Sequence, residues 1–142
     1  MVTRISVHSP APAEVLEIID AGLDNPSFDD VEPLHAIATD DKGQVIGGAV
    51  GRTWGKCCEL QKLWVAPEFR ERYEGTQLMK AFEREAASRA CELVYLDTFS
   101  FQAPEFYSKL GYHEAFRTSG FTAGVVKITM QKRLPNGRGS DG

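Results

Sequence analysis

The residues best suited to do chemistry crowd between positions 59 and 76. A β-prone run, Leu60-Gln61-Lys62-Leu63-Trp64-Val65, passes through Ala66-Pro67-Glu68-Phe69 into Arg70-Glu71-Arg72-Tyr73-Glu74-Gly75-Thr76, and an amphipathic segment follows. Main-chain N–H groups before and within a first helical turn have no intrahelical partner, and with the helix dipole they form a pocket suited to a pyrophosphate. The same stretch also reads as an ordinary strand-to-helix loop, with Glu71 and Glu74 complementing the dipole and Arg70 and Arg72 solvated. Either way it lacks the Gly-Lys-Ser/Thr ending that handles phosphate and magnesium in P-loop nucleotide enzymes. Cys57, Cys58 and Cys91 have no metal-like spacing, and none of His8, His35 or His113 lies near them in sequence. Reduced, buried thiols are therefore expected rather than a metal site or a cysteine nucleophile, and adjacent cysteines on a strand point to opposite faces.

The elements that must hold this stretch follow from periodicity and turn chemistry. Residues 3–8 alternate enough for a strand. Residues 11–23 place Val15, Ile18, Ile19, Gly22 and Leu23 at helical spacing, with Pro12 suited to the first turn. Residues 34–39 and 45–52, separated by Asp40-Asp41-Lys42-Gly43, predict a hairpin, and residues 57–66 add a third strand that Pro67 ends. Residues 74–90 set Leu78, Met79, Phe82, Ala86 and Ala90 on one helical face. Residues 93–99 then close a parallel β-α-β crossover. A short helix over 103–110 ends at Gly111, and strands over 112–117 and 125–132 complete the set. The expectation is an α/β (α+β) fold: a mixed sheet of about seven strands, an antiparallel N-terminal meander plus the crossover, and three to four helices. Residues 1–134 read as a single domain and residues 135–142 as a disordered tail.

Composition narrows the function classes. A chain of 142 residues with 42% hydrophobic residues suits one core. A formal net charge of −4 gives no general attraction for nucleic acid, so an anionic ligand has to be held locally. No apolar run approaches the roughly 20 residues that span a bilayer, and the first ten residues lack the apolar middle of a signal peptide. The cytoplasm is the default location, with no membrane or nucleic-acid partner expected.

With these elements placed, the sequence resembles the GNAT acetyltransferase superfamily. That family carries a loop of pattern Arg/Gln-x-x-Gly-x-Gly/Ala between its fourth strand and the following helix. Arg70 and Gly75 match it, as do Leu63-Trp64-Val65-x-Pro before it and Thr76-Gln77-Leu78-Met79 after it, while Tyr73 stands where the pattern has its first glycine. A second match runs from Leu96-Asp97-Thr98-Phe99 through Phe106-Tyr107-Ser108-Lys109-Leu110-Gly111-Tyr112, similar to the family's fifth strand and its Phe-Tyr-x-Lys-Leu-Gly-Phe/Tyr signature. Together the matches cover about residues 45–117, and two motifs at the expected separation are far more specific than one.

The resemblance implies acetyl-CoA as cosubstrate, no metal, and transfer to a primary amine by direct attack. It places the pantetheine arm against main-chain atoms of Leu63 and Val65, and the diphosphate against Arg70, Glu71, Arg72, Tyr73, Glu74, Gly75 and Thr76. Tyr107 corresponds to the family's proton donor to the departing thiolate. Glu59, or Asp97 on the next strand, is the candidate base, although a bulge would reverse the face on which Glu59 points. A noncatalytic acyl-CoA-binding or sensing module is the alternative. Residues 25–32, 52–56 and 118–124 are the expected acceptor-side segments, and Asp29, Asp30 and Glu32 could attract a cationic amine. Partners in view are a small-molecule amine or a protein amine, and a homodimer paired through exposed strand edges.

Overall fold

The computed structural model describes residues 3–23, 28–70 and 74–135. Helix α1 spans Ala13–Gly22, with Pro12 at its N-cap. Strands β1 (Glu32–Thr39), β2 (Val45–Trp54) and β3 (Cys57–Val65) form the anticipated antiparallel meander. The β1–β2 turn follows its sequence closely: Asp40 Oδ1 accepts from the main-chain N–H groups of Lys42 and Gln44, both at 2.9 Å, and Gly43 sits at φ +80°. Only glycine takes that left-handed conformation without strain. After β3, Pro67 opens a short 3₁₀ turn, Pro67–Phe69.

Helix α2 (Glu74–Ser88) buries Leu78, Met79, Phe82 and Ala86 and packs across one face of β1, β2 and β3, but Ala90, expected on the same stripe, lies past the helix end, exposed at φ +69°. It returns the chain to β4 (Leu93–Phe99), parallel to β3. Helix α3 (Pro104–Lys109), β5 (His113–Thr118) and β6 (Lys127–Arg133) follow, and β6 inserts between β4 and β5 to give the sheet order β1-β2-β3-β4-β6-β5. Gly111, at φ +98°, ends α3, with the Tyr112 N–H returning to the Tyr107 carbonyl at 3.0 Å. Val94, Leu96, Ile128 and Met130 meet Phe82 and Met79 in one core. At its edge the half-buried Glu83 carboxylate accepts from the Tyr112 hydroxyl at 2.7 Å and from Lys132 Nζ at 2.8 Å, tying α2 to β6 and to the end of α3.

The sheet has six strands where about seven were expected. Residues 3–8 form no strand: Ile5 and Val7 are 91% and 95% exposed, and without a neighbouring ladder an alternating segment gains nothing from being extended. Helix α1 likewise buries none of its residues, so its apolar spacing was legible but its packing partner was not. The tail expectation for 135–142 lies outside the described residues beyond position 135. Among the described residues no helix is long and apolar enough to cross a membrane.

Candidate active site

Strands β3 and β4 pair only from Cys57↔Leu93 to Leu60↔Leu96. Past that rung they part. Residues 62–65 of β3 remain paired to β2 on one edge, which leaves their other main-chain edge facing a cleft of about 780 Å³. A bulge starts the divergence: Gly51 opposes Leu60 and Val50 opposes Lys62, so Gln61 is the extra residue. Bulges bend the strand that carries them, and this one falls at the parting point. Gly51 is needed there, because a Cβ on it would come within 1.9 Å of the Glu59 carbonyl oxygen.

The cleft is lined by Leu63 and Val65 on β3, Arg70 at the end of the 3₁₀ turn, Gly75 and Thr76 on α2, Leu96, Asp97 and Thr98 on β4, and Phe106 and Tyr107 on α3. Two separate sequence motifs thus face each other across one space. Arg70 donates from Nε to the Val65 carbonyl at 2.8 Å, so that carbonyl is already engaged and the guanidinium is fixed at the cleft wall. Among the described residues α2 begins at Glu74, with Gly75 and Thr76 on the cleft wall, and the N–H groups at the start of a helix have no intrahelical acceptor. Gly75 lets α2 and α3 approach: an added Cβ would lie 3.2 Å from the Phe106 ring. One oxygen of Glu74 is buried with no hydrogen-bond partner among the described residues. Glu71, Arg72 and Tyr73 lie outside the described residues.

Tyr107 is 9% exposed, its ring held edge-on by Phe106 at 5.1 Å and Tyr112 at 5.8 Å between centroids. Burial pushes its phenol up to about 12, so it stays protonated at any physiological pH and can donate a hydrogen bond into the cleft. Glu59 points to the opposite side of the sheet from the core residues Cys58 and Leu60, because the bulge lies after it and not before. It is paired across the strands with Arg52, whose Nε donates to Oε1 at 3.0 Å. Asp97 accepts from the Thr129 hydroxyl and lies 3.7 Å from Lys127 Nζ. Glu59 and Asp97 therefore share the face away from α2, flanking the parted rung. Cys58 and Cys91 are buried as expected, but Cys57 is exposed, because its neighbour Cys58 takes the core face of the strand, and all three cysteines are free.

The cleft also contains residues that sequence reasoning did not single out. Lys62 and Lys109 join Arg70 in its lining and make it cationic within an acidic chain. Lys62 lies just past the bulge, where the alternation resets, which no local pattern announces. Ala103, a further lining residue, adopts φ +57° at the N-cap of α3, a strained conformation for a residue with a Cβ.

A mixed sheet parted between two parallel strands, with a helix N-terminus at its mouth and a buried tyrosine opposite, is the arrangement of GNAT-fold acyltransferases. The chain belongs to that family: the GNAT acetyltransferase domain matches residues 32–114. A blasticidin-S acetyltransferase from Streptomyces morookaense is 28% identical over 109 residues, spanning 74% of this chain and 80% of that protein. Among solved structures, an acetyltransferase from Bacillus cereus superposes with a TM-score of 0.72 at 30% identity, over 85% of this chain and 86% of that one. An aminoglycoside 6'-N-acetyltransferase complexed with coenzyme A shares the fold at a TM-score of 0.66 and 24% identity, over 87% of this chain and 80% of that one.

Proposed function

We propose that the chain is an acetyl-CoA-dependent N-acetyltransferase acting on a primary amine, with residues 1–134 as its single domain. The observation that carries the reading is the open main-chain edge of β3 beyond Leu60, set between the first turn of α2 and the Tyr107 hydroxyl. The pantetheine arm carries two amides, and a strand edge satisfies amides with ladder hydrogen bonds. Arg70, Lys62 and Lys109 supply positive charge for its phosphates, and the α2 N-terminus supplies main-chain donors. The coenzyme A complex of the aminoglycoside acetyltransferase, which shares this fold, supports that choice of donor.

In the reaction a neutral amine attacks the acetyl carbon, the carbon–sulfur bond breaks, and its electron pair leaves on sulfur. The attacking nitrogen sheds a proton and the sulfur gains one, so no outside acid or base is consumed. Glu59 and Asp97, on the face away from α2, are placed to receive the amine proton directly or through water. Tyr107 donates to the sulfur as charge develops there. A phenol held near 12 is too weak an acid to leave itself ionised, so it relays a proton and returns to its neutral form. The cytoplasm is the compartment that fits the three free thiols.

Calorimetry with acetyl-CoA and a thiol-release assay over small amines, aminoglycosides, amino acids and peptides test this. Amine-dependent release of coenzyme A is expected. Tight acetyl-CoA binding with no release on any amine would favour the acyl-CoA sensor, and absence of binding would refute both.

A further inference from the structure

A second, smaller pocket of about 340 Å³ lies against the β2–β3 hairpin, lined by Arg52, Trp54, Gly55, Cys57, Glu59 and Tyr95. Its position follows from strand register. Glu59 pairs with Tyr95, one rung before Leu60 and Leu96, where the strands part. Because Cys58, Leu60, Val94 and Leu96 point into the core, Glu59 and Tyr95 project from the opposite face. At about 3.3 Å of rise per residue, the pocket ends within roughly 7 Å of the parting. A group seated at the parting is thus approached from the cleft on one side and from this pocket on the other.

Phe28 and Asp30 stand outside the lining of this pocket and flank two residues that form it, Trp54 and Gly55. The Phe28 ring lies against Trp54 with centroids 4.9 Å apart and a tilt of 50°. Both rings remain about half exposed, so each keeps a surface for a ligand. The same segment brings Asp30, whose Oδ2 lies near Gly55, at 4.0 Å from where a Cβ would stand. Arg52 pairs with Glu59 and Lys56 with Glu92, so Asp30 adds negative charge beside Gly55. Tyr95 closes the inner end, its phenol pushed up by burial and by the neighbouring Glu59 carboxylate, so it is a neutral donor. Aromatic faces beside a carboxylate bind flat cations through stacking and cation–π attraction. The volume suits a small molecule and is far too small for a folded protein surface.

Building on the acetyltransferase reading, we propose that this pocket is the acceptor subsite and that it selects an amine carried on a flat aromatic group, with Trp54, Phe28 and Asp30 determining specificity. An aliphatic polyamine has no planar face to match Trp54.

Trp54 and Trp64 are the only tryptophans, so a Trp64→Phe protein carries Trp54 as its sole indole reporter. Benzylamine titrated into that protein should quench or shift Trp54 fluorescence, while putrescine and glucosamine at equal concentration should not. In turnover, Trp54→Ala should raise KM for benzylamine about tenfold, the size of one lost stacking contact, with Trp54→Tyr restoring most of it. Asp30→Asn should weaken benzylamine severalfold, and both changes should leave KM for acetyl-CoA within twofold. Unchanged Trp54 fluorescence with benzylamine, or a preferred amine whose KM ignores both Trp54→Ala and Asp30→Asn, would overturn the assignment. Failure of the underlying acetyltransferase reading would show separately, as loss of acetyl-CoA binding by calorimetry, which the fluorescence titration does not depend on.

Discussion

Replacing Tyr107 by Phe removes one oxygen and keeps the ring, so the edge-on contacts to Phe106 and Tyr112 should survive. Two independent effects are expected. If the hydroxyl relays the proton that reaches sulfur, turnover at neutral pH should fall about 10²-fold, the lower end for loss of a positioned acid, with KM for acetyl-CoA within about twofold. The second effect concerns stability. Burial raises the phenol from 10.0 to about 12, so between those values the unfolded chain has released a proton that the folded chain still holds. Stability must then fall as pH rises through this window. It is unaffected by this group below 10, and by about pH 11 the loss is about 1 kcal/mol. Urea denaturation at pH 8 and about pH 11 reads it, with Tyr107→Phe losing less stability across the interval than the parent. Burial also raises Tyr112, Tyr95 and Cys58, but these are common to both proteins and cancel in the comparison. Unchanged turnover across pH would remove Tyr107 from the chemistry. An identical alkaline loss in both proteins would show that the phenol is not buried as described.

Gly51→Ala should cost about 3 kcal/mol in urea denaturation, because the new Cβ would meet the Glu59 carbonyl oxygen at 1.9 Å and the Phe82 ring at 2.8 Å, forcing backbone to move at the bulge. Turnover by the folded fraction should fall with it, since the same bulge sets where β3 leaves β4. Glu83→Gln should cost about 2 kcal/mol by thermal or urea melting: it leaves half-buried Lys132 without its carboxylate and weakens the Tyr112 bond, yet should not alter KM for acetyl-CoA.

Local chemistry made much of this protein readable. The Asp40–Gly43 turn, the apolar stripe of α2, the Pro67 stop and the Gly111 cap each rest on a conformational preference carried by a few adjacent residues. The two GNAT-like motifs were equally plain, because each lies within one contiguous stretch, and their order implied the β-α-β crossover that brings them together. The N-terminal segment shows the limit of that method. Alternation over residues 3–8 matched a strand, but a strand exists only where a neighbour completes its ladder, and periodicity carries no information about the neighbour.

The site divides along the same line. The resemblance to the GNAT family marked Arg70, Gly75, Thr76 and Tyr107 as residues to bring to one place, and Glu59 was proposed without being oriented. Only the tertiary structure decided which face Glu59 takes, because that depends on where the bulge at Gln61 falls relative to β2. It alone paired Glu59 with Arg52, drew Lys62 and Lys109 into the cleft, and set Phe28 against Trp54. These contacts join residues far apart in the chain, and their geometry follows from strand register, a property shared between segments that no single segment encodes.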